Sequence, residues 1–347
     1  MANLGNLPMV ATTSSFAAIA MILLVSCLCG TDAQIGVCYG QFGDNLPSTQ
    51  DVVKLYQSNN IKAMRIYGPN QAILQALQDS GIKTILDVPN DQIQSLASDQ
   101  SAAMQWIKSN VVPFASSIKY IAVGNEIHPS YDQQASSVQP AMKNVLNALN
   151  ANNLGDQIRV SISIDTTLLK NTSPPSNGQF DEKYTSYINP IIDFLTSNGS
   201  PLLVNVYPYF AYIHDKQNIP LGFALFTATK TVVTDNNLNY NNLFDAIVDS
   251  VYAALGKAGA PDMEIVVSET GWPSAGGDSA STDNAMTYYR NLIEHVSQGT
   301  PLKGGKAIET YLFAMFDENE KTEDETERHY GLFTPNQQPK YGQLNFS

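Results

Sequence analysis

Eight short strand candidates, separated by stretches with helical spacing or capping chemistry, constrain this chain of 347 residues more than any other feature. The strand candidates are residues 35–40, 63–67, 84–88, 120–123, 159–164, 202–207, 264–268 and 307–316. Between them, helical spacing or capping chemistry marks residues 48–58, 71–79, 101–110, 138–150, 184–196, 240–257 and 282–296. Strands alternating with helices favour parallel βαβ units. Eight such units in one domain of this size point to a (β/α)8 TIM barrel. The competing architecture is an open doubly wound sheet with a nucleotide site. That would need a glycine-rich turn after the first strand with dinucleotide or phosphate-loop spacing, and GVCYGQFGDN supplies neither. From residue 34 to 347 the Pro and Gly residues are scattered, so no domain boundary is visible. One local cluster, residues 173–178, follows the fifth strand and reads as an insertion at the barrel mouth.

Two of the strands end in a carboxylate. In EIVVSETGWPSAG, Glu269 follows the run Ile265, Val266, Val267, and the next residues, Thr270, Gly271, Trp272 and Pro273, cannot continue a strand. In YIAVGNEIHPS, Gly124 breaks the run and Asn125 and Glu126 emerge after it. If both strands are parallel members of one barrel, both acids reach the same mouth, where barrel enzymes keep their active sites. Paired carboxylates there suggest glycoside hydrolysis. Taken singly, either glutamate reads as well as a helix cap or a solvated loop charge.

A sugar site also needs flat apolar faces. Tyr39, Tyr67, Tyr207, Phe210, Trp272 and Phe316 fall at or just after strand ends, where rings could stack on a sugar or equally pack into the core. The eighth strand leads to Glu318, Lys321 and Glu327, in a segment that also holds Glu320, Glu323, Asp324 and Glu325. Most of those acids must face water.

Other chemistries find little support. The four histidines show no paired ligand spacing, no GxSxG elbow is present, and residues 34–347 hold no CxxC pair, so neither metal nor cofactor is expected. With 19 basic against 32 acidic residues the formal charge is −13, which disfavours nucleic acid and anionic lipid as partners and suits a neutral substrate. Residues 16–29 form an apolar run too short to span a bilayer with margin, ending near Thr31, Asp32 and Ala33, with a small residue at the last position. This predicts a secretory signal peptide over residues 1–33, although no Lys or Arg precedes the run. Cys27 and Cys29 would leave with it. Cys38 then stands alone, unable to form an internal disulfide, and its apolar surroundings predict a buried structural thiol.

The blocks GVCYG, MRIY, VGNE, NVYPYF, SETGWPS, YLFAMFDENEK and TERHYGLF together resemble plant glycoside hydrolase family 17, the endo-1,3-β-glucanases, from about residue 34 to the C-terminus. The resemblance implies a (β/α)8 barrel that cleaves β-1,3-glucan with retention, Glu269 acting as nucleophile and Glu126 as general acid/base. It places residues matching Glu318, Lys321 and Glu327 beside that pair, and it favours Tyr39 and Tyr207, then Tyr67, as sugar contacts. Asn125, adjacent to Glu126, is expected to hydrogen-bond the sugar 2-hydroxyl. Relatives sent to the vacuole commonly extend beyond the equivalent of Asn345 and Phe346, whereas this chain stops at Ser347, so the resemblance implies an extracellular cell-wall member. Sequons at Asn171, Asn198 and Asn345 are compatible with glycosylation. The expectation is a secreted, monomeric endo-β-1,3-glucanase acting on glucan such as callose or fungal wall polymer. Two alternatives stay open: a 1,3;1,4-β-glucanase of the same fold, and a non-catalytic glucan-binding wall protein.

Overall fold

The structure, a computed structural model, describes residues 34–346. The expected signal peptide lies outside the described residues. Eight parallel strands close into a barrel: β1 (Ile35–Cys38), β2 (Ala63–Ile66), β3 (Lys83–Val88), β4 (Ile118–Asn125), β5 (Arg159–Ile164), β6 (Leu202–Asn205), β7 (Ile265–Thr270) and β8 (Thr310–Leu312). Each pairs with its chain neighbours, and β1 completes the ring against β8 through Ile35, Gly36 and Val37 facing Thr310, Tyr311 and Leu312. The predicted (β/α)8 barrel is the observed fold.

Among the described residues ten α-helices accompany the strands: α1 (Thr49–Ser58), α2 (Gln71–Leu77), α3 (Ile93–Ser98), α4 (Gln100–Asn110), α5 (Ala135–Ala151), α6 (Thr185–Asn198), α7 (Pro208–His214), α8 (Leu221–Ala224), α9 (Leu243–Lys257) and α10 (Thr282–His295). Short polar side chains start several of them. Ser48 accepts from the Asp51 amide, Asn70 from Ala72 and Ile73, Asn242 from Asp245, and Ser281 from Asn284, each satisfying amides that have no partner within the helix. The sequence reading lacks α3, α7 and α8, which are four to seven residues long and carry too few turns to display a period. It also lacks two antiparallel hairpins. One joins Val233–Asp235 to Leu238–Tyr240 through Asn236 and Asn237, both at positive φ as a two-residue hairpin turn requires. The other joins Leu169–Lys170 to Gln179–Phe180 and carries the 173–178 cluster in its loop, as an insertion after β5. The eighth ladder ends at Leu312, earlier than expected, and Phe316 makes only an isolated bridge to Phe333.

Side chains of the barrel strands divide between two cores, because successive residues of a strand point to opposite faces. Cys38, Ala63, Ile85, Tyr120, Ala122, Leu203, Val266 and Tyr311 fill the interior. Their neighbours Val37, Met64, Leu86, Ile121, Val123, Val204, Val267 and Leu312 join the larger layer between strands and helices. Cys38 is fully buried and burial pushes its thiol well above the usual range, so the expected structural thiol is what the fold contains.

Candidate active site

Each glutamate singled out from the sequence follows a register shift in its strand. On β4 the pairing with β5 slips between Ala122 and Asn125; on β7 the pairing with β6 slips between Val267 and Glu269. Such bulges re-aim the side chain that follows. At β4 the device depends on Gly124, whose φ is +93° and where an added Cβ would stand 2.7 Å from Ile93 Cδ1. Glu126 itself adopts φ +52°, a left-handed conformation that is uncommon for a residue with a side chain and that concentrates at functional sites. The Asn90 side chain brackets this corner, accepting from the Asn125 amide and donating to its carbonyl, both at 2.9 Å.

Arg65 organises the floor. Fully buried, its guanidinium grips Asp87 with Nε and Nη2, reaches Glu269 Oε1 through Nη1 at 2.8 Å, and donates from Nη2 to Asn125 Oδ1 at 2.9 Å. Burial opposes its charge, and the carboxylates of Asp87 and Glu269 more than offset that opposition. Glu269 also accepts from the phenol of Tyr67 at Oε1 and from that of Tyr207 at Oε2, each at 2.8 Å. Burial, above all, raises both phenols well above their ordinary value, so both keep the proton they donate. Three donors from β2, the β2 end and the β6 end thus hold the Glu269 carboxyl in one orientation.

Asn205, at the end of β6, couples the two acids. Its Oδ1 accepts from Arg65 Nη1, and its Nδ2 lies 2.9 Å from Glu126 Oε1 and 3.0 Å from Asn125 Oδ1. Solvent reaches Glu126 from the cleft, yet the walls around its carboxyl strip most hydration, and this together with the negative Glu269 pushes its pKa up to about 7. The Asn205 hydrogen bond pulls the other way. Asn125 accepts from both Arg65 and Asn205, and among the described residues its Nδ2 has no partner.

The loop after β8 forms one wall. Glu318 is buried and accepts from the Phe42 amide at 2.9 Å; Lys321 Nζ lies 3.2 Å from Glu327 and 4.5 Å over the Phe313 ring. Burial pushes both Glu318 and Glu327 upward, against the pull of Lys321. These groups border a cleft of about 1420 Å³, which crosses the mouth from the loops after β1 and β8 to those after β5 and β6. A drug-sized ligand needs about 300–1000 Å³, so the space accommodates several sugar rings.

Of the expected site residues, Glu126, Glu269, Tyr67, Asn125, Tyr207, Glu318, Lys321 and Glu327 all line this cleft. Three expected sugar contacts do not. Trp272 is fully buried, packed edge-on against Tyr209 with its Nε1 donating to the Ser279 carbonyl. Tyr39 and Phe316, 4% and 2% exposed, pack edge-on against each other. For Tyr39 the reason is parity, since it follows the inward-facing Cys38; Trp272 and Phe316 lie beyond the ends of β7 and β8 and join the same layer between strands and helices, whereas Tyr67, Tyr207 and Phe313 pack on the interior cluster that rises to the mouth. Phe210, also weighed from the sequence, does line the cleft. Sequence reasoning missed Arg65, Asp87, Asn205 and Phe313. A usable signal was present in three of them: an arginine inside AMRI, an aspartate inside KTILDV and an asparagine ending LLVN interrupt runs otherwise suited to burial.

A closed parallel barrel presenting two coupled glutamates and a cleft edged by carboxyl, amide and aromatic side chains at one mouth has the form of a barrel glycoside hydrolase. More narrowly, the family model "Glycosyl hydrolases family 17" matches residues 35–346, and the chain belongs to that family. Among similar proteins is a glucan endo-1,3-beta-glucosidase of Vitis vinifera, 59% identical over 317 residues, covering 90% of this chain and 92% of the relative. An acidic isoform of the same enzyme from Nicotiana tabacum is 50% identical over 343 residues, covering 96% and 98%. Of solved structures, a beta-1,3-glucanase and allergen of Cryptomeria japonica pollen aligns with TM-score 0.88 at 47% identity, over 90% of this chain and 99% of that one. One of two plant beta-glucan endohydrolases with distinct substrate specificities aligns with TM-score 0.86 at 44% identity, over 89% and 99%.

Proposed function

We propose that this protein is an endo-hydrolase of β-1,3-glucosidic bonds that works by double displacement, with Glu269 as nucleophile and Glu126 as general acid/base. The observation that carries the reading is the pairing of the two acids through Asn205 and Arg65, with Glu126 raised to about 7 partly by the charge of Glu269. In the first displacement Glu269 attacks the anomeric carbon while Glu126 gives its proton to the departing glycosidic oxygen. The resulting ester removes the negative charge of Glu269. Glu126 then loses that contribution to its raised pKa and serves as base, taking a proton from the water that attacks the same carbon. Two inversions give net retention. Asn125 Nδ2, the one uncommitted donor beside Glu126 in this network, suits a hydrogen bond to the sugar 2-hydroxyl that strengthens in the transition state. Glu318, Lys321 and Glu327 hold hydroxyls along one wall.

The linkage rests on the names of relatives such as those from Vitis vinifera and Nicotiana tabacum. A 1,3;1,4-β-glucanase is the second reading, favoured by the alignment to one of two endohydrolases that differ in specificity. A (β/α)8 barrel of this kind needs no partner to complete its site, so the reading takes the protein to act as a monomer. Among the described residues no helix is long and apolar enough to cross a membrane, and the apolar run at 16–29 supports export to the cell wall.

The test is release of reducing ends from linear β-1,3-glucan, mixed-linkage glucan and cellulose, beside Glu269→Ala and Glu126→Ala. Hydrolysis of the β-1,3-glucan, lost in both variants, with azide restoring Glu269→Ala as the inverted glycosyl azide, is the expected result. Preference for mixed-linkage glucan would move the substrate and leave the mechanism; activity surviving in Glu269→Ala without azide would overturn the assignment of the nucleophile.

A further inference from the structure

Phe42 is out of keeping with its surroundings. It lines the cleft at the end bordered by the β8 loop, 63% exposed, and its ring belongs to neither core. A large apolar side chain left in water gains nothing for folding. Yet both of its backbone polar groups are bonded across to the β8 loop. The Phe42 amide donates to Glu318 Oε1 at 2.9 Å, and the Phe42 carbonyl accepts from the Glu320 amide at 3.0 Å. Two residues on, Asp44 and Asn319 exchange hydrogen bonds: the Asp44 amide to Asn319 Oδ1 at 3.3 Å, and Asn319 Nδ2 to Asp44 Oδ1 at 2.8 Å. Two residues back, Gly40 lets the loop close on Glu318, since a Cβ there would stand 2.2 Å from its carboxylate oxygen. Phe42 and Asp44 are therefore hydrogen-bonded to the β8 loop and Gly40 packs against it, and the one side chain this stretch presents to the cleft is an aromatic ring.

We propose that Phe42 is a fixed stacking platform for a glucosyl ring of the bound chain remote from the bond being cut. This rests on the functional reading above and extends it to a residue which that reading does not use. The apolar face of a pyranose and the face of a benzene ring exclude water from each other. A platform whose backbone is already hydrogen-bonded in place loses less ordering entropy when it binds than a free loop would. Because the ring stands at the cleft end, only chains long enough to reach it gain, so Phe42 sets preference for substrate length.

The experiment measures kcat/KM for the full-length protein on linear β-1,3-gluco-oligosaccharides of increasing length, for wild type, Phe42→Ala and Phe42→Tyr. In wild type, one added glucosyl unit raises kcat/KM as it reaches the ring. Phe42→Ala abolishes that increment, about three- to tenfold, through KM, and Phe42→Tyr retains it. Superimposable length profiles for wild type and Phe42→Ala overturn the platform. So does an equal loss at every length, which would mark Phe42 as a structural element of the loop. No turnover of any oligomer by wild type would instead overturn the functional reading, and the platform with it.

Discussion

Glu126 carries the chemistry most exposed to pH. Its pKa is raised to about 7, so the protonated form that the first displacement requires persists below that value and is lost above it. kcat/KM on β-1,3-glucan should fall as pH rises through about 7, and a pH–rate profile measured at substrate concentrations below KM checks this. Asn205 supplies the next expectation. Its hydrogen bond holds Glu126 lower than burial and Glu269 alone would. Asn205→Ala should therefore move the alkaline limb of the same profile to higher pH, along with a loss of rate from the freed carboxyl. A limb that stays in place would show that Asn205 does not act on Glu126. Asn125 is separable from both: it lines the cleft and, among the described residues, its Nδ2 has no partner, so Asn125→Ala should lower kcat more than binding, as steady-state kinetics beside inhibitor affinity would register.

At the scale of an element, the two bulges do what regular strands cannot. A strictly pleated β4 would send alternate side chains to the interior and the helix layer, and the bulge at Ala122–Asn125 lets Asn125 and Glu126 both serve the mouth. Gly124 is the residue on which this depends. Gly124→Ala would meet Ile93 Cδ1 and place a Cβ at φ +93°, a strain of about 1–3 kcal/mol. The expected outcome is a lowered denaturation midpoint together with a drop in kcat larger than that at Gly256, a helical glycine with open space around it. Equal kinetic effects at the two positions would mean that β4 geometry does not aim Glu126.

For the whole molecule, strand order decides how substrate lies. In the ring, β1 stands opposite β5, and the cleft joins the loops on these two sides across the mouth, passing Glu126 and Glu269. A polymer laid along such a path is cut internally. The viscosity of a β-1,3-glucan solution should therefore fall well before reducing ends accumulate in proportion; release of glucose alone at steady viscosity would contradict the path.

The sequence by itself determined the eightfold alternation, the pair of glutamates at two strand ends and the family blocks, because each is written in local runs whose period or spacing survives without knowing the neighbours. It also marked Glu318, Lys321 and Glu327, although nothing local separates them from Glu320 or Glu323. Tertiary structure alone decided which aromatic rings face the mouth. Tyr39 and Tyr67 both stand where a barrel strand ends, yet one enters the helix layer and the other bonds Glu269, since a shift of one residue along a strand reverses the face. It alone also decided that Arg65 and Asn205 join the acids. Arg65 lies 204 residues from Glu269 and Asn205 lies 79 from Glu126, and only closure of the barrel brings those strand ends within hydrogen-bonding distance.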